Sequence, residues 1–257
     1  MSRTPAVLLL ASLALAGCKH AATPTVGPEA TQPRPAAPAP VDPATAGAIT
    51  GIVHLSGVTP KPIPIDMSAD PACALATTPN LTEQTVADHG RLANVYVYIK
   101  AGLPPSSATA ATAPVVLDQK GCRYTPHVVA VQQGGAVEFR NSDPTMHNIH
   151  TMPRNAANSA TDVSEPPMGQ PQTQRFAAPE TMIPVRCNNH PWMNAFLNVA
   201  PNPYFAVTGA DGSFSIKNLP PGTYTLAAVQ EKLGEQSIQV TIPAKATVPA
   251  NFTFTAQ

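Results

Sequence analysis

Four side chains near the middle of the chain have the donor types of a soft metal centre. Cys187, His190 and Met193 share one tight loop, Cys187-Asn188-Asn189-His190-Pro191-Trp192-Met193, directly after a strand-like run. Forty residues upstream, Asn141-Ser142-Asp143-Pro144-Thr145-Met146-His147-Asn148 brings His147 to the end of another strand. Two imidazole nitrogens and one thiolate in a trigonal plane, with a weakly bound thioether on the axis, form a blue-copper site. Such a site must serve Cu(I) and Cu(II) with little rearrangement, so its loop has to hang from a rigid scaffold. His150 competes with His147, but residues three apart on an extended chain point to opposite faces. It reads as a sheet-face or rim histidine. His54 and His127 fall in strand patterns, His20 in a linker and His89 in a loop, which are structural or solvated settings.

The elements that must position these ligands are strands. Charged residues are only 12 % and there are 31 prolines, a combination that disfavours long exposed helices. Short apolar alternations recur at 49–55, 92–99, 114–117, 127–131, 136–139, 183–185 and 196–199, then around Phe214, Tyr224, Ile238 and Phe252. Turn clusters such as Gln133-Gly134-Gly135, Asp211-Gly212 and Pro220-Pro221-Gly222 separate them. Only 81–89 has a weakly helical pattern. More than ten short strands at this spacing predict β-sandwiches, two of them.

With ligands and strands in view, residues 113–202 resemble a cupredoxin, and among cupredoxins most resemble amicyanin. The resemblance is carried by a His followed by Asn after the strand Ala136 to Asn141, and by the spacing Cys, two residues, His, two residues, Met. It implies a Greek-key β-sandwich holding one type 1 copper through His147, Cys187, His190 and Met193. It also implies that Asn148 pins the Cys187 loop, and that His190, Pro191 and Trp192 form the electron-transfer patch. Asn189 is a departure, because amicyanin and plastocyanin carry Pro there. Its N–H is free to donate to the Cys187 sulfur, which puts any reduction potential carried over from the family in doubt.

The chain has four cysteines. Cys18 follows an apolar run, Ala6 to Ala16, that is too short to cross a bilayer and reads as an export signal. Its ending, LAGC, resembles the lipobox of bacterial lipoproteins, which implies acylation of Cys18; Lys19 after it implies outer-membrane anchoring facing the periplasm. Three thiols remain, and one must be left over. Pairing Cys73 with Cys122 leaves Cys187, the cysteine with His and Met at cupredoxin spacing, free for metal, and an exported protein permits that bridge. From Lys19 to Gly47 there are seven prolines and eight alanines among 29 residues, which reads as a semi-extended tether.

The flanks resemble one further module. TGADGSFSIKNLPPGTYTL resembles the carboxypeptidase-regulatory, prealbumin-like sandwich, and strands typical of that family's first half occur at 47–55 and 93–99. The expected architecture is therefore all-β: a cupredoxin sandwich inserted in or joined to a prealbumin-like one. Its divisions are a signal peptide and lipobox at 1–18, a tether at 19–47, sandwich parts at 48–111 and 204–257, and a copper domain at 112–203.

Fifteen basic against fifteen acidic residues leave no cationic excess, so nucleic acid is not an expected partner. No His-x-His pair for a three-copper cluster, CxxCH, GxSxG or phosphate loop occurs, so no enzyme is expected. The expected function is periplasmic one-electron transfer between redox proteins, from a membrane lipid anchor. Copper handling is the alternative, because Met146, Met152, Met168, Met182 and Met193 all lie in the copper segment and thioethers suit Cu(I).

Overall fold

In the computed structural model the described residues are 42–75, 80–103, 111 and 113–256. The signal segment, Cys18 and the tether up to residue 41 lie outside them. The chain opens with β1 (Gly47–Ser56), a four-residue helix α1 (Pro71–Ala74), β2 (Ala87–Asp88), β3 (Arg91–Leu92) and β4 (Tyr96–Ala101). Then come β5 (Val115–Gln119), β6 (Tyr124–Thr125), β7 (Val128–Gln132), β8 (Ala136–Asn141), β9 (His147–Thr151), β10 (Thr161–Glu165), β11 (Gln172–Arg175), β12 (Glu180–Arg186) and β13 (Asn194–Ala200). The chain ends in β14 (Phe205–Val207), β15 (Ser213–Leu219), β16 (Gly222–Gln230), β17 (Gly234–Ile242), β18 (Thr247–Pro249) and β19 (Phe252–Thr255).

These strands form four sheets. One is ordered β10-β9-β12-β13-β7 and one β11-β8-β5-β6, and both draw only on residues 115–200. Between them pack Leu117, Tyr124, Val137, Phe139, Ile149, Phe176, Ile183 and Leu197, all essentially water-free. Burying each large apolar side chain contributes roughly 1.5–3 kcal/mol. The other two sheets mix the two ends of the chain. In one, β1 pairs antiparallel with β15 and β3 and parallel with β18 and β19; in the other the order is β14-β4-β16-β17. Their shared core includes Ile49, Val53, Val97, Ile99, Leu226, Phe252 and Phe254. A Cβ at Gly51 would overlap the Ala250 carbonyl where β1 passes from β18 to β19, so the crossing needs glycine there.

β4 is buried on both faces, which explains its unbroken apolar run. Val97 and Ile99 face the outer core, whereas Tyr96 and Tyr98 stack at 4.8 Å and pack with Ala200, Ala227 and Val229 where the two sandwiches meet. A buried ion pair also crosses this junction, His127 Nε2 donating to Glu231 Oε2 at 2.9 Å.

Two expectations differ from what is observed. Residues 81–89 form no helix; they run extended into β2, and Leu81 makes a bridge to Pro64. The segment after β1, expected in the outer sandwich, packs instead on the sandwich of residues 115–200, because Met67 and Cys73 are buried in that core and Ile65 leans on it. Among the described residues no helix is long and apolar enough to cross a membrane.

Candidate metal centre

His147 opens β9, and its side chain is fully buried between the sheets. Cys187 follows β12 directly, and Met193 precedes β13, so the ligand loop is the connection of an antiparallel pair. Its backbone closes on itself: the Cys187 N–H donates to the Met193 carbonyl at 3.3 Å, and the Met193 N–H to the His190 carbonyl at 2.9 Å. Cys187, His190 and Met193 are 3 %, 3 % and 1 % exposed, so any ion they hold is shielded from water.

The ligand atoms of His147, Cys187 and His190 all lie within 4.8 Å of one another. His147 Nδ1 and His190 Nδ1 are 3.0 Å apart, and Cys187 Sγ is 3.6 Å from His190 Nδ1. Each imidazole gives its outer nitrogen to a carboxylate: His147 Nε2 to Asp143 Oδ2 at 2.9 Å, and His190 Nε2 to Asp70 Oδ2 at 2.9 Å. A carboxylate only accepts, so both Nε2 atoms carry hydrogen, and wherever a ring is neutral its Nδ1 is a bare lone pair. Two lone pairs facing each other beside a thiolate are satisfied by a cation among them. The donor set therefore fits a metal ion that takes imidazole nitrogen and thiolate sulfur, and Met193, at the end of the loop, is buried in the same hydrophobic core as Cys187.

Without a metal that cation is a proton, carried by His147 beside the Cys187 sulfur. Burial pushes the Cys187 thiol up, but the His147 hydrogen bond and the N–H groups of Asn189, His190 and Asn148 outweigh it and hold the thiol below its ordinary value. Burial would lower the His147 imidazole; the Asp143 carboxylate and the Cys187 thiolate reverse this and lift it to about 9. The His190 N–H holds the Asp70 carboxyl at about 2.

Asn148 Oδ1 accepts from the Asn188 N–H at 3.3 Å, and its Nδ2 donates to Asp162 Oδ1 and the Val163 carbonyl, so it ties the Cys187 loop to β10. Asn189 is exposed, and its backbone N–H reaches the Cys187 sulfur. His150 turns away to Asn188 Oδ1 at 3.0 Å. Cys73 and Cys122 form a disulfide with Cα atoms 5.6 Å apart, and Cys187 is the free cysteine among the described residues.

The expected electron-transfer patch differs at its centre. Pro191 is exposed and Trp192 half-buried, but His190 does not reach the surface. The α1 segment covers it, with Cys73 Sγ 3.9 Å from His190 Nε2 and Asp70 hydrogen-bonded to the same nitrogen. Trp192 packs on His190 with ring centroids 5.0 Å apart, and its Nε1–H donates to the Cys122 carbonyl at 3.1 Å.

Two residues of the site were not singled out from sequence. Asp143 stands four positions before His147, and this carboxylate one turn from a ligand His was the available signal. Asp143 also accepts from the Gly121 and Cys122 N–H groups at 2.7 and 2.8 Å. Asp70 lies 120 positions from His190, and no local pattern marks it.

Residues 188–255 match the family model of the carboxypeptidase regulatory-like domain. The match begins inside the Cys187 to Met193 loop and takes in β13, a strand of the sandwich with the candidate metal centre, before running through β14 to β19. A search of curated proteins finds no match. Among solved structures, an amicyanin mutant in the Cu(I) state is 21 % identical with a TM-score of 0.31, over 40 % of this chain and 97 % of that one. A copper-containing nitrite reductase from Thermus scotoductus SA-01 is 18 % identical with a TM-score of 0.32, over 40 % of this chain. The similarity spans 26 % of the length of that reductase. In fold, the chain is all-β and joins a β-sandwich of residues 115–200, which bears the candidate metal centre, to a second β-sandwich that carries most of the carboxypeptidase regulatory-like match.

Proposed function

We propose that the protein is a type 1 copper protein that carries single electrons between redox partners in the periplasm, held at the membrane by a lipid on Cys18. The observation that carries this reading is the convergence of His147 Nδ1, His190 Nδ1 and Cys187 Sγ within 4.8 Å in a buried, backbone-closed site. Copper, when bound, supplies the one-electron couple. The chain's own residues do the rest. Strands β9, β12 and β13 fix the ligand directions, and the N–H groups of Asn189, His190 and Asn148 stabilise negative charge on the Cys187 sulfur. Burial of all four ligands excludes water, so little solvent has to reorganise when charge changes. With His190 covered, the Trp192 ring in contact with it and the exposed Pro191 beside it offer the way to the surface.

The test is the absorption spectrum of the copper-loaded full chain. An intense thiolate-to-copper band in the red, abolished in Cys187→Ala, is expected; stoichiometric copper without that band overturns the type 1 assignment.

A second reading, copper handling, is favoured by Met146 and Met168, which are 49 % and 68 % exposed on loops joined where the Met168 N–H donates to the Asp143 carbonyl. Rapid loss of Cu(I) to a competing chelator, with Met146→Leu and Met152→Leu mattering as much as changes at Cys187, would favour it.

A further inference from the structure

The outer nitrogen of His190 is closed by a residue from far away in the chain. Asp70 is the N-cap of α1: its Oδ1 accepts from the Ala72 and Cys73 N–H groups at 2.7 and 3.4 Å. That use of one oxygen aims the other, Oδ2, at His190 Nε2 and at Thr145 Oγ1, both at 2.9 Å. The helix has only four residues and little stability of its own, so something else must hold Asp70 in place. The Cys73 to Cys122 disulfide does so, three residues along. The Cys122 N–H in turn holds Asp143, the carboxylate on His147. One covalent link thus joins the segment that carries Asp70 to the segment whose N–H groups hold Asp143.

We propose that Asp70 is a positioning residue for His190, seated over the metal centre by the Cys73–Cys122 disulfide, and that it fixes the ring and favours the oxidised ion. This rests on the copper reading above. The carboxylate fixes the tautomer, because it leaves Nδ1 as the only ligating nitrogen, and it fixes the ring plane against Trp192. It also makes the imidazole a stronger donor, which stabilises Cu(II) more than Cu(I). A residue that served only as a helix cap would have neither effect. Asn caps a helix about as well as Asp, so Asp70→Asn keeps the cap and removes the charge.

The experiment compares the full chain with Asp70→Asn and with the double variant Cys73→Ser, Cys122→Ser, in two forms. In the metal-free form, nitrogen-15 NMR of the His190 ring should show a slowly exchanging Nε2–H in the parent, and fast exchange or the other tautomer in both variants. In the copper form, losing an outer carboxylate partner should weaken Cu(II) binding about 10- to 100-fold. If Cu(I) binding is unchanged, the reduction potential rises by about 60 to 120 mV. An unchanged Nε2–H together with an unchanged potential in Asp70→Asn overturns the proposal. If the parent takes up no copper while the NMR difference persists, the copper reading fails and the positioning of His190 by Asp70 stands.

Discussion

Met193 is the proposed ligand on which the sign of a substitution can be argued from donor chemistry alone. Its thioether is soft and favours Cu(I); an amide oxygen is harder and favours Cu(II). Met193→Gln is therefore expected to keep copper and lower the reduction potential, opposite in sign to Asp70→Asn, and voltammetry of the two purified variants checks this. A Met193→Gln protein with an unchanged potential would place the thioether outside the coordination sphere. The four donor side chains were legible in the sequence because donor type and spacing are properties of the chain itself. Their partners were less so. Asn148 could be read because it adjoins His147, whereas Asp70 meets His190 only through the fold. The burial of His190 was hidden for the same reason, since the segment that covers it is remote in sequence.

At the scale of elements, the turn before β9 is held by one amide. Asn141 Nδ2 donates to the Thr145, Glu165 and Pro166 carbonyls at 2.9, 3.1 and 3.0 Å, fastening the His147 turn to the end of β10. Asn141→Ala leaves these acceptors without their donor, at a cost of about 1–3 kcal/mol. The expected result is a lower urea midpoint and faster copper loss to a chelator, while Asn141→Asp, which keeps the shape without the amide donor, should behave like Ala. Apolar strands such as β7, β8, β13 and β16 were legible as alternating runs. β10 and β11 were not, because Thr161-Asp162-Val163-Ser164-Glu165 and Gln172-Thr173-Gln174-Arg175 are polar edge strands whose partners, β9 and β8, supply the order. The pattern at 81–89 was too short and too polar to nucleate a helix against the extended pairing with Pro64.

Across the whole molecule, the junction between sandwiches holds the His127 and Glu231 pair, with side chains 2 % and 3 % exposed. Removing one partner of a buried pair strands the other, at about 3–5 kcal/mol. His127→Ala should show that loss in chemical denaturation, and His127→Ala with Glu231→Leu should recover much of it; no recovery would mean that the His127 bond to the Asn194 carbonyl is what matters. The lipid anchor is tested apart from the fold. Cys18→Ser should move the protein from the membrane fraction to the soluble one, and a Cys18→Ser protein that stays acylated would end the lipoprotein reading. The all-β class was legible from composition and turn spacing, while the sharing of one core by residues 49 and 254 is a matter of topology. That topology sets an order of events. β1 lies at 47–56 and its partner β19 at 252–255, so the outer sheet cannot close until residues 252–255 have been delivered. Every strand of the sandwich that holds the candidate metal centre lies between them, in 115–200, and can pair while the C-terminal strands are still being made. The outer sandwich then acts as a clasp shut last, joining residues 47–56 to 252–255 after the sandwich between them has paired.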